Sequence, residues 1–183
     1  MNWVSPGEQA VLGVLQKNAD DVPPSTAKNF ARIMGDIMSL WVGNQRHNRT
    51  WSPNFTREAA RLLRKDGNRH GFSTLYGICR MYTLRITGEG FPNACYYRSK
   101  IQILIDDFVP FADLMHPADS DKLDVVDALF TSNADDIVPI RPKDIPWWVP
   151  DSHWWWRVPT RDDWSEEEIN AKINDYYDDD WDS

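Results

Sequence analysis

The chain is poor in cysteine and has no long apolar segment. Its two cysteines, Cys79 and Cys95, are too few for the disulfide framework of a small secreted domain, so we expect a reducing, cytoplasmic compartment. No apolar run approaches the ~20 residues that a membrane helix needs. The first residues also lack a charged segment followed by an apolar run. We therefore expect neither a signal peptide nor membrane attachment.

The sequence also lacks the short motifs of common enzyme chemistry. It has no phosphate-binding glycine loop, dinucleotide-binding glycine pattern, nucleophile elbow or zinc-protease motif. The pairs Asp106-Asp107 and Asp135-Asp136 would suit Mg²⁺ in a nuclease, but adjacent acids are expected by chance among twenty-eight acidic residues. We predict that the protein is not an enzyme and binds neither metal nor cofactor. Four potential zinc ligands lack the spacing of a zinc finger or ribbon: His70, Cys79, Cys95 and His116.

Apolar residues recur with a helical period over the first 133 residues. Ser5-Pro6-Gly7-Glu8 has the form of a capping box, and further helices are expected over residues 25–43, 52–67, 73–88, 94–109 and 120–133. No stretch alternates with the period of a β-strand, and no Asn-Gly or Asp-Gly turn joins two apolar runs. We therefore predict an all-α fold with six to seven helices and a helical domain over residues 1–133.

The composition changes after residue 133. Five prolines between residues 134 and 164 forbid a continuous helix and favour extended backbone, and a last helix is expected from Ser165 before a short acidic tail around Trp181. Residues 134–183 are thus predicted to form a separate arm. Its tryptophans either anchor the arm on a neighbouring subunit or fold it back onto its own helices. The five tryptophans predicted at a subunit interface are Trp147, Trp148, Trp154, Trp155 and Trp156.

Charge is segregated along the chain. Residues 28–100 hold thirteen Lys or Arg against four Asp or Glu, a net charge of +9, whereas residues 101–183 hold six against twenty-one, a net charge of −15. The whole-chain net charge of −8 therefore hides a basic middle. Such a middle region is typical of contact with phosphates, although its cations could instead pair with the acidic C-terminal third.

The strongest basic pattern lies in residues 52–67. Its cations recur at helical spacing on one side, and Phe55, Ala59, Leu62 and Leu63 recur on the other. Ten of the thirteen cations in the basic middle are arginine, whose planar fork matches phosphate oxygens, and aromatic residues that could stack on bases lie between them. We predict that single-stranded nucleic acid is bound by Arg46, Arg49, Arg57, Arg61, Arg64, Lys65 and Arg69.

Three segments between residues 72 and 117 carry a family resemblance. They are Ile78-Cys79-Arg80-Met81-Tyr82, then Phe91-Pro92-Asn93-Ala94, then Phe108 to Phe111-Ala112-Asp113. In this order they resemble the coat proteins of flexuous filamentous plant viruses, of the potexvirus and carlavirus type. The resemblance implies a buried ion pair beside an RNA groove, formed by Arg80 with Asp113, or with Asp107 if the register shifts.

Charge and resemblance together predict a structural protein that coats or packages single-stranded RNA, such as a viral coat protein or nucleoprotein. It would self-assemble through its C-terminal arm into a homo-oligomer or polymer, and it would form part of a virion if viral. The alternative is a protein-interaction or regulatory module that docks through the tryptophan-rich arm and binds no nucleic acid.

Overall fold

The structure, a computed structural model, describes residues 4–20, 25–84, 90–118, 122–133, 137–158 and 165–178. Over these residues it contains eight α-helices, two short 3-10 helices and no strand, so the predicted all-α fold is confirmed. None of the described helices is both long and apolar enough to cross a membrane. The predicted acidic tail after residue 178 and the Asp135-Asp136 pair lie outside the described residues.

The helices follow one another with short connections. The α-helices are α1 (Pro6–Asp20), α2 (Ser25–Arg46), α3 (Pro53–Leu63), α4 (Asp66–Leu84), α5 (Gly90–Asp107), α6 (Phe111–Leu114), α7 (Leu123–Ser132) and α8 (Glu166–Asp178). The 3-10 helices are Pro142–Asp144 and Trp154–Arg157. Helix α4 begins at Asp66, seven residues before the predicted start at Ser73. Asp66 and Gly67 were expected to end the preceding helix, but they form the first turn of α4.

Contacts divide the chain into two units that do not follow chain order. Unit 1 comprises Met1–Cys79 and Tyr97–Asp121, and unit 2 comprises Arg80–Tyr96 and Lys122–Ser183. The predicted boundary between residues 133 and 134 falls inside unit 2. Helices α4 and α5 each contribute residues to both units.

Local signals in the sequence set the helix starts of unit 1. The predicted capping box at α1 forms, since the backbone N–H of Ser5 donates to Glu8 Oε2 at 2.7 Å and that of Glu8 donates to Ser5 Oγ at 3.2 Å. Ser52 caps α3 by accepting from the N–H of Phe55 at 3.3 Å, with Pro53 in the first turn. Glu8 also accepts from the N–H of Ser52 at 2.9 Å, so one carboxylate fixes the starts of two helices.

The α3–α4 junction of unit 1 is closely packed. Asn68 is fully buried, and its Nδ2 donates to the carbonyls of Leu15 at 3.0 Å and Leu62 at 2.9 Å, while its Oδ1 accepts from Asn18 at 2.8 Å. A Cβ atom at Gly67 would lie 2.1 Å from the carbonyl oxygen of Asn18. Only glycine therefore allows α4 to begin this close to α1.

The core of unit 2 contains part of the tryptophan-rich segment. Trp155 is 1% exposed; its indole N–H donates to the carbonyl of Cys95 at 3.1 Å, and the Cys95 thiol donates to the carbonyl of Trp155 at 3.3 Å. Trp156 is also buried, and His153 stacks on Trp155 with ring centroids 4.6 Å apart. The segment thus folds onto a helix of its own chain. Removing two large indole rings from water provides the driving force for this packing.

Candidate nucleic-acid interface

Helix α3 has the two faces that the sequence predicts. Phe55, Ala59, Leu62 and Leu63 are buried on one side. The cations lie on the opposite, exposed side, where positions separated by four and three residues are neighbours on a helix surface. The exposed cations of this face and its C-terminal end are Arg57, Arg61, Arg64 and Lys65.

Two of these arginines pair with carboxylates of the same unit. Arg61 contacts Glu58 at 2.6 Å, and this hydrogen bond lowers the pKa of Glu58 and raises that of Arg61. Arg64 Nε donates to Asp113 Oδ2 at 2.9 Å. All four side chains are between 42% and 50% exposed, so water screens both pairs and each contributes little to stability. The assignment of Arg61 and Arg64 to phosphates stays a prediction, and in the structure each of them also has a carboxylate neighbour.

Two further arginines that were assigned to phosphates have neutral partners. Arg57 donates to the side-chain oxygen of Asn54 at 2.7 Å on the exposed surface. Arg69 is partly buried, and its Nε donates to the carbonyl of Met115 at 2.7 Å. Arg69 therefore holds the chain that follows α6, because its Nε satisfies a backbone carbonyl there, and its contact with phosphate stays a prediction. Arg57 remains on the open face of α3.

The loop between α2 and α3 carries Arg49 beside a cleft. The backbone N–H of Arg49 donates to the carbonyl of Asn44 at 2.9 Å, and Asn48 adopts a left-handed conformation with φ 49°. Asparagine is among the few residues that enter this region readily, so the tight turn is encoded locally. Arg49 is exposed and lines two adjoining cavities of about 280 and 730 Å³. Arg46, the other predicted cation here, is the last residue of α2 and is exposed.

The smaller cavity has an aromatic and acidic wall that the sequence did not reveal as a site. Trp51 packs on Phe55 and Phe108, with ring centroids 5.1 and 5.6 Å apart, and its indole N–H donates to Asp107 Oδ2 at 2.8 Å. Trp41 donates to the same carboxylate. Burial raises the pKa of Asp107, and the hydrogen bonds from the two indoles partly oppose that rise.

The viral resemblance implies a buried ion pair of Arg80 and Asp113, but neither residue is buried. Arg80 is exposed and belongs to unit 2, whereas the Asp113 side chain, in unit 1, is 45% exposed and binds Arg64. The buried character of the pair is therefore wrong. Asp107, the alternative partner, accepts from two tryptophans instead.

The five tryptophans predicted at a subunit interface separate into two groups. Trp155 and Trp156 are buried in unit 2, so they cannot anchor a neighbouring subunit without unfolding, and that prediction is corrected for them. Trp148 is partly buried against Tyr96 and Trp156. Trp147 and Trp154 remain at the surface, 59% and 37% exposed.

Potential metal ligands do not converge in the part of the chain that the structure describes. No group of three or more His, Cys, Asp or Glu side chains there could hold a metal ion. Cys79 and Cys95 are both buried thiols. His70 and His116 stack face to face, with ring centroids 3.7 Å apart. Comparison with protein-family models, with curated proteins and with solved structures found no match for this chain.

Proposed function

We propose that the protein binds single-stranded nucleic acid, most simply RNA, and coats or packages it as a coat protein or nucleoprotein does. The observation that carries this proposal is the exposed row of cations on α3, which begins beside the Arg49 cleft. Pro53 and Thr56 of α3 line the cavities on which Arg49 also lies. A strand bound here would meet cations along one helix and aromatic walls at its end, the combination that single-strand binders use.

The surface ion pairs of α3 are compatible with phosphate binding. Each guanidinium has five N–H donors, and Arg61 and Arg64 remain about half exposed. A phosphate can therefore bind these arginines beside the carboxylates of Glu58 and Asp113, or displace them, without leaving a buried charge unpaired. In the absence of ligand, the two carboxylates would hold the arginine side chains in place at the surface.

The charge distribution and the resemblance support a packaging role. A chain with a basic middle and an acidic C-terminal third can neutralise a polyanion while the assembled particle keeps a moderate net charge. The segments between residues 72 and 117 resemble plant-virus coat proteins, which are non-enzymatic. Self-assembly is part of the proposal, with Trp147 and Trp154 as the two predicted anchors that remain exposed.

The proposal is tested by removing two exposed cations, one on the loop before α3 and one on α3 itself. The double variant Arg49→Ala/Arg57→Ala should bind a fluorescent single-stranded oligonucleotide roughly tenfold more weakly than the parent at low salt, because two phosphate contacts are lost. The control is Lys122→Ala/Lys143→Ala, which removes the same charge from exposed positions in unit 2. Equal affinities of the two double variants would contradict the proposed interface.

A second candidate function is a protein-interaction module without nucleic acid. The exposure of Trp147 and Trp154 favours it, since tryptophan is a leading anchor residue at protein interfaces. The ratio of absorbance at 260 and 280 nm of the purified protein separates the two functions. Copurified nucleic acid is expected from the first, and a nucleic-acid-free protein that sediments with a protein partner from the second.

A further inference from the structure

The smaller cavity of unit 1 has the size and chemistry of a site for one planar ring. It encloses about 280 Å³, near the lower end of small-molecule sites. Trp41 and Trp51 line it, and the carboxylate of Asp107 accepts hydrogen bonds from both indoles. These bonds fix the carboxylate in place before any ligand arrives, so a ligand would not need to order it.

The Asp107 carboxylate has acceptor capacity beyond the two indoles. A carboxylate offers about four lone-pair positions, and Trp41 and Trp51 occupy two. The remaining positions suit a ligand with two N–H donors on one edge. Three of the other polar residues along the cavity, Asn44, Gln45 and Arg49, supply amide and guanidinium donors for acceptors elsewhere on the ring.

We infer that this cavity binds one guanine base of the bound strand, with Asp107 accepting from its N1–H and N2–H₂ groups. Guanine places two donors side by side on this edge and carries the acceptors O6 and N7 on the adjoining edges, where arginine is its commonest partner. Adenine and cytosine would turn a ring nitrogen acceptor toward the carboxylate beside their amino group. Uracil would turn a carbonyl oxygen toward it. Repulsion between these lone pairs and the carboxylate would reject all three.

This inference rests on the proposed function and adds a sequence preference to it. The α3 cations would bind phosphates of any sequence, and the cavity would set the register by taking one guanine. Exposed Arg49 lies on both cavities, where it can contact either the base or its phosphate. Phosphate contacts position a strand, and base contacts specify it.

The preference is measured with two oligonucleotides that differ by one base, a uridine homopolymer and the same strand with a single central guanosine. The parent should bind the guanosine strand about tenfold more tightly or better, as expected for one well-formed base contact. Asp107→Asn should remove this preference while keeping salt-dependent binding of both strands. Asp106→Asn is the charge-matched control on the same helix, since Asp106 is exposed and bonded to Gln102 at 2.6 Å.

A second variant covers the case in which Asp107→Asn fails to fold. Thr56→Leu fills the cavity from α3 with a better helix former, and it should also abolish the preference for the guanosine strand. Equal binding of both strands by the parent, or a preference that survives in Thr56→Leu, overturns the guanine site and leaves the proposed function standing. Failure of the parent to bind either strand at low salt overturns both.

Discussion

Trp51 donates its indole N–H to the carboxylate of Asp107 at 2.8 Å, joining the loop before α3 to the end of α5. The bond links two residues fifty-six positions apart. It holds an aromatic ring and a charge at the wall of a cavity that Arg49 also lines. The end of the loop that presents Arg49 is thus attached twice, by Trp51 to Asp107 and by Ser52 to Glu8.

The stability contribution of Asp107 should fall as pH rises. Burial raises the pKa of Asp107 in the folded state above the ordinary value of 3.8. At a pH between the ordinary pKa and the raised one, the folded state therefore keeps a proton that the unfolded state has released. The free energy of unfolding of the parent minus that of Asp107→Asn should be largest near pH 4 and smaller at pH 7. Urea unfolding at several pH values measures this difference. A difference that grows with pH would contradict the sign.

Glu8 should contribute more to stability than its counterpart in the last helix. Glu8 is 6% exposed and accepts from the N–H groups of Ser5 and Ser52, so Glu8→Gln turns an amide donor toward one of two backbone donors. We expect a loss of about 1.5–3 kcal/mol. Glu168→Gln, in the exposed capping box with Ser165, is the matched control and should cost clearly less. Equal losses would show that the bond to Ser52 has no role in stability.

Two glycines of α4 should respond oppositely to alanine. A Cβ at Gly71 would lie 2.5 Å from Cβ of Phe30, so Gly71→Ala forces a buried ring to move and should cost about 1–3 kcal/mol. Gly77 has open space, and Gly77→Ala should stabilise the helix by roughly 0.5–1 kcal/mol. Thermal unfolding of both variants checks this pair. A stable Gly71→Ala protein would mean that α2 and α4 pack less closely than described.

Trp155 and Trp147 should differ in how much they contribute to stability. Trp155→Phe removes the donor to the Cys95 carbonyl inside the core and should lower stability by about 1–3 kcal/mol. Trp147→Phe alters a side chain that is 59% exposed and should leave stability within about 0.5 kcal/mol. Chemical unfolding measures both. A destabilised Trp147→Phe protein would show that this indole supports the fold rather than a contact between subunits.

Local features of the fold were predictable from sequence, and long-range ones were not. The sidedness of α3 and the capping of α1 depend on residues three or four positions apart, so helical spacing alone reveals them. The pairing of Arg64 with Asp113 joins residues forty-nine apart, and no local pattern specifies it. The start of α4 at Asp66 was missed because Asp-Gly usually ends a helix, whereas here Gly67 permits a close contact with Asn18.

The tryptophan-rich segment illustrates the same limit. Its prolines correctly forbid a long helix, and only short 3-10 turns form over residues 137–158. Whether an indole is an anchor or a core residue depends on what faces it, and here the facing partner of Trp155 is Cys95, sixty residues earlier. The candidate site was found in part, since its cations were predicted, while the role of Asp107 between two indoles appeared only in the structure.

The salt dependence of binding tests the central claim most directly. The logarithm of affinity for a single-stranded oligonucleotide should fall linearly with the logarithm of salt concentration, by about 0.7 for each phosphate contacted. The account predicts a slope for the parent that is steeper by about 1.4 than that of Arg49→Ala/Arg57→Ala, since two contacts are lost. Identical slopes for the two proteins, or binding by the parent that does not respond to salt, would contradict it.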